Sequence, residues 1–159
     1  MDKDGSGGRV EMLWQFFNAL RERRVLMYVL TTGPAENVVD ALRRLELLQF
    51  FRDDEAEGGV DTVGNVGNVG NVGDVGDVGD VASFRVASIA SVDGTPAATM
   101  KARFVDAELK RLQIAPEHAR VVDEDDVVLR VMREERVAPG YKVQRGGLSE
   151  TDVVEILNR

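Results

Sequence analysis

The sequence predicts an α/β fold, a parallel sheet with helices on both faces, and three observations predict it. Outside one low-complexity stretch, helical and strand patterns alternate along the chain. The strand-like runs are short and continuously apolar, as in strands buried on both faces. The 159 residues fit one domain with one sizeable core.

The elements follow in order. Val10, Leu13, Trp14, Phe17 and Leu20 recur at helical spacing, and the run 21–24 places cations at that helix's C-terminal end. Residues 25–30, VLMYVL, form an apolar run of strand length. Thr31-Thr32-Gly33-Pro34 breaks it, and Val38, Val39, Leu42, Leu45 and Leu48 make the next helical stripe. Residues 84–89 read as a strand and residues 100–112 as a helix with Phe104, Val105, Leu109 and Leu112 inward. A strand at 120–122, a helix at 125–135, a strand at 141–143 and a helix at 149–157 complete the set. Ser149 and Asp152 have the spacing of a capping pair at the last helix.

The low-complexity stretch reads VGN three times and then VGD three times, from Val63 to Asp80. Residues 53–83 hold eight acids and neither Lys nor Arg. Taking them away from the formal charge of −8 leaves a balanced remainder, which argues against nucleic acid as a partner. With Gly and Asp and no aromatic group, the stretch buries too little to offset its ordering entropy. It is predicted as a disordered acidic insertion in one domain spanning residues 1–159. The nonapeptide pattern of calcium-binding rolls is missing from it.

Composition excludes several chemistries. Cysteine is absent, which removes disulfides, thiolate catalysis and Cys-based metal sites. His118 is the only histidine, so multi-histidine metal sites are excluded as well. No apolar run approaches the roughly 18 residues of a membrane span. The start of the chain lacks the features of a secretory signal. A cytoplasmic protein with no membrane partner is expected.

In parallel sheets, ligands bind beyond the carboxyl ends of the strands. Those ends hold Thr31 and Thr32, the segment 90–101 with Lys101, the acids Asp123, Glu124, Asp125 and Asp126, and the segment 144–147. Hydroxyls and backbone N–H groups bind phosphate oxygens, a lysine neutralises a phosphoryl group, and carboxylates hold magnesium. Each feature also has a plain structural reading. Thr31 and Thr32 before Gly-Pro suit a turn or an N-cap. The acids at 123–126 suit a helix N-terminus, whereas Lys101 at a helix start is unfavourable for the dipole. Trp14 and Phe17 suit the core. Neither GxGxxG nor GxxxxGK[ST] is present, so nothing supports nucleotide binding.

The segment VLMYVLTTGP, with the helix ending in LELLQFF, resembles the second motif of the haloacid dehalogenase (HAD) superfamily. KARFVDAELKRLQIAPEHARVVDEDD resembles its third and fourth motifs, and RVAPGYKVQRGGLSETDVVEIL is similar to the continuation in its eukaryotic magnesium-dependent phosphatases. The resemblance covers residues 10–52 and 84–157. It implies a three-layer Rossmann-like domain and hydrolysis of a phosphomonoester, a phosphotyrosine or a sugar phosphate, through a phosphoaspartate. By matching position Thr31 is the second-motif hydroxyl, Lys101 the third-motif lysine and Asp123 a magnesium ligand, with Thr32 beside the substrate. Glu124 completes the acidic pair, and Asp125 or Asp126 stands in for the partner position that falls at Val127 or Val128. The first motif, DxDx[TS], has its letters only at Asp2-Lys3-Asp4-Gly5-Ser6, with Asp2 as nucleophile and Asp4 as acid/base. No strand precedes them, so the fold is expected to lack the family's first strand. The implied ligand is a phosphorylated small molecule or phosphoprotein. The alternative is a catalytically impaired binding or regulatory module of the same fold.

Overall fold

The computed structural model describes residues 6–52, 84–89, 91 and 93–158. The insertion 53–83, Asp2 and Asp4 lie outside them. Among the described residues the order is α1 (Ser6–Glu22), β1 (Val29–Thr31), α2 (Ala35–Arg44), β2 (Val86–Ser88), α3 (Ala97–Leu112), β3 (Val121–Asp123), α4 (Asp126–Glu134), β4 (Gly140–Lys142) and α5 (Glu150–Leu157). A short 3-10 helix, Leu48–Phe51, takes the end of the predicted second helical stripe. No described helix is long and apolar enough to cross a membrane.

Four helices stop in the same way. After α1, α2, α3 and α4 a non-glycine residue takes positive φ: Arg24, Glu46, Gln113 and Arg136. In each case two backbone bonds close the turn, for α4 from Arg136 N–H to the Arg133 carbonyl and from Val137 N–H to the Met132 carbonyl. This is the Schellman arrangement, in which an apolar residue after the turn packs on one in the last helical turn. The residues in these positions are Leu20 and Val25, Leu42 and Leu47, Leu109 and Ile114, and Met132 and Val137; the last three pairs lie in shared cores, whereas Val25 is exposed. They correspond to LRERRV, LRRLEL, LKRLQI and MREERV, an apolar residue, a cation and, five positions on, an apolar residue again. The last helix starts as predicted. Ser149 Oγ accepts the Asp152 N–H and the Asp152 carboxylate accepts the Ser149 N–H, a complete capping box.

The strands pair in parallel, β1 with β2 and β3 with β4. They form two separate two-stranded sheets where one sheet was predicted, because no described strand lies beside the second edge of β1 or β3. The first strand is also shorter than VLMYVL. Val25 closes the turn after α1, and Val25 and Leu26 are 44% and 45% exposed, so the run is not buried along its length.

Each pair has its own core. Met27, Leu47, Phe50 and Phe51 gather under α1, and Ala35, Val39, Leu48 and Val86 gather between α2 and β2. The other half packs Ala102, Leu109, Val128, Met132 and Val137 between α3, α4 and β3. Trp14, expected in the core, is half exposed and meets Phe50 edge-on, while Phe16, two residues on, is buried. The insertion leaves and re-enters at one point. Arg52 and Phe84 form an antiparallel bridge, and the Arg85 N–H donates to the Phe51 carbonyl.

Candidate anion site at the strand ends

Helix α3 ties the two halves together, and its two attachments define the site. Midway along it, Phe104 packs edge-on against Tyr28, just before β1. The Tyr28 hydroxyl donates to Glu108 at 3.0 Å, and Arg111 donates to the same carboxylate at 2.8 Å. Burial, and then the Glu108 carboxylate, push the Tyr28 hydroxyl above its usual pKa, so it stays a neutral donor. Near its N-terminal end, Lys101 Nζ donates to Asp123 Oδ2 at 2.8 Å, at the end of β3. The Lys101 and Asp123 side chains are 14% and 16% exposed, a pair mostly withdrawn from water yet still reachable.

These attachments orient the helix against both strands. Lys101 precedes Glu108 by two helical turns, about 10 Å. Thr31 follows Tyr28 by about 10 Å of strand. Ile89, whose N–H donates to the Thr31 carbonyl, leads by a short connection into the start of α3. The start of α3, the end of β1 and the end of β3 therefore lie toward the same end of the fold. Lys101 and Asp123 meet there, and the bonds of Thr31 run to Gly33 and Ile89.

Locally these groups are already engaged. Thr31 Oγ1 accepts the Gly33 N–H at 3.0 Å, a hydroxyl turn before the Gly-Pro pair. Thr32 is exposed. Asp123 Oδ1 accepts the Asp125 N–H at 2.9 Å, so both carboxylate oxygens of Asp123 have partners. Asp125 is the N-cap of α4, accepting the Val127 N–H at 2.8 Å. Asp126 pairs with Lys142 of β4. Glu124 is exposed. Asp123, Asp125 and Asp126 thus each hold a different partner, because successive residues at a strand-to-helix junction diverge. No group of three metal-ligating side chains occurs among the described residues. Asp123 offers at most one ligand, and these residues by themselves do not complete the oxygen set that magnesium requires.

One neighbour was not visible in the sequence. Ser88 lies opposite Thr31 in the register, and its hydroxyl donates to the Gly33 carbonyl at 2.8 Å. Only the pairing of β1 with β2 brings it there. Comparison of the chain with family models, with curated proteins and with solved structures returned no significant match.

Proposed function

We propose that the chain is a HAD-like domain that takes a phosphomonoester at the strand ends and hydrolyses it. The reading rests on the 2.8 Å contact between Lys101 and Asp123, side chains from a helix and a strand end that meet where the resemblance requires its lysine and its fourth-motif acid. Lys101 supplies an ammonium and Thr31 the second-motif hydroxyl of this reading, and an incoming phosphoryl oxygen would replace Asp123 or share the ammonium with it. Thr32 is the exposed hydroxyl next to it. In the hydrolytic reading the Asp2 carboxylate attacks phosphorus and the P–O bond to the leaving group breaks. Asp4 gives its proton to that leaving oxygen, and water then releases phosphate. Magnesium is the cofactor this reading takes, and a phosphotyrosine or a sugar phosphate its substrate. The finer fold of the proposal is a three-layer Rossmann-like sheet, β1 and β3 flanking the place of the first strand.

A second reading, a binding or regulatory module without turnover, is favoured by one observation. Both oxygens of Asp123 are occupied, and no described trio of carboxylates stands ready for a cation. Hydrolysis of p-nitrophenyl phosphate with magnesium separates the two. Turnover that chelation stops, that Asp2→Asn abolishes and that Lys101→Ala cuts about 100-fold supports the hydrolase. Absent turnover, with orthophosphate binding that Lys101→Ala removes, supports the module. Turnover indifferent to Lys101→Ala overturns both.

A further inference from the structure

On the α4 side of the second half lies an open groove of about 800 Å³. None of Thr31, Lys101 and Asp123 lines it, while Asp126 and Lys142 do, so it adjoins the strand ends on the α4 side without including the Lys101–Asp123 pair. Its rim carries Arg130, Arg133, Arg136 and Lys142 against two carboxylates, Asp126 and Glu117. Lys142 and Asp126 neutralise each other across the groove. Arg130, Arg133 and Arg136 make no side-chain hydrogen bond or ion pair among the described residues. What sets them apart is that all three line one groove.

The local structure explains how three guanidinium groups reach one place. Arg130 and Arg133 are one helical turn apart on α4, so their side chains emerge on the same face. Arg136 follows at the left-handed residue that ends the helix, with φ of 55°, and the chain reverses there toward Pro139 and Gly140. The floor between them is apolar. Leu129 lies against Gly140, where a Cβ would come within 2.9 Å of Leu129 Cδ2, so the absent side chain leaves room for it.

We propose that this groove docks an acidic peptide segment, one that sets Asp or Glu side chains against the three arginines and small apolar side chains against Leu129 and Pro139. Guanidinium groups pair carboxylates with two parallel hydrogen bonds, and three unpaired ones on one rim suit several carboxylates along an extended chain. Nucleic acid fits less well. No aromatic side chain lines the groove for base stacking, and Glu117 and Asp126 would face the phosphates. A single phosphate would leave most of the groove unfilled.

Fluorescence anisotropy of the full chain with a labelled peptide of alternating Asp and Val tests this, beside its Asn analogue and a labelled single-stranded RNA. Binding of the Asp peptide that weakens at least tenfold in Arg130→Ala/Arg133→Ala, and is absent for the Asn analogue, supports the proposal. Circular dichroism checks that the variant keeps its fold, as expected for exposed side chains. Binding unchanged in the variant overturns it. Tighter binding of the RNA, lost in the same variant, overturns it in favour of nucleic acid. Peptide binding that appears only after deletion of residues 53–83 overturns it in favour of the chain's own acidic stretch. Because Lys101→Ala lies outside the groove, peptide binding retained in that variant keeps this result independent of the strand-end site.

Discussion

The two halves of the molecule solve the same packing problem with different side chains. Around β1 and β2 the core is aromatic, with Phe17 meeting both Phe50 and Phe51 at centroid distances below 6 Å. Around β3 and β4 it is aliphatic, and Ala102 and Met132 are fully enclosed. The strand ends differ more. In the first half they are closed by neutral hydroxyls, Thr31 and Ser88, bonding to Gly33. In the second they are closed by charge, Lys101 with Asp123 and Lys142 with Asp126. A parallel pair of three-residue strands supplies few ladder bonds. Each half is thus held by helix packing, and its strand ends are free to carry polar chemistry.

The largest effects should come from the cores. Met132→Ala and Leu47→Ala each remove a buried side chain from one half, and each is expected to cost about 2–5 kcal/mol in denaturant unfolding. Hydrogen exchange sharpens the comparison. If the halves form one cooperative unit, both variants lower protection in both halves; loss confined to the mutated half would show that α3 couples them weakly.

The strand-end charges come next. Lys101→Ala leaves the Asp123 carboxylate with the Asp125 N–H alone, and about 1–3 kcal/mol of stability should be lost. Lys101→Met combined with Asp123→Asn should recover most of it, since the asparagine oxygen still accepts that N–H. Thr31→Val in the first half should cost less, and an equal cost would break the contrast between neutral and charged ends.

A smaller effect is expected at α5. Ser149→Ala removes one half of the capping box and should cost about 1 kcal/mol. The hydrogen bonds from Ser149 hold the Asp152 carboxyl below its usual pKa. A carboxyl lowered in the folded state adds stability above its unfolded pKa and loses it as pH falls through the folded one. Acid titration of Asp152→Asn should therefore show less destabilisation through that window than the parent chain; identical curves would refute the linkage.

The smallest effects are gains. Arg24→Gly, Glu46→Gly and Gln113→Gly each relieve a left-handed residue and should raise stability by about 0.5–1 kcal/mol. A loss at any of them would mean that the side chain does more than end a helix.

Sequence patterns located the helices and strands because apolar periodicity is a local consequence of backbone geometry. The predicted helix 125–135 and strand 141–143 lie within a residue or two of α4 and β4. The same local logic exposes the Ser149 box and, once the turns are seen, the repeated LRERRV-type helix stops. It misjudged VLMYVL, because whether an apolar run is covered on both faces depends on what lies beside it.

Residue types and spacing alone therefore determined the alternation of helix and strand, the charge balance outside residues 53–83, and the candidacy of Thr31, Lys101 and Asp123. Only the tertiary structure decided that the strands form two pairs, that Lys101 reaches Asp123, that Asp125 caps while Asp126 pairs with Lys142, and that three arginines meet over one groove. The physical reason is range. Periodicity and capping act within one or two turns of chain, whereas strand neighbours and ion pairs are chosen by the packing of segments distant in sequence.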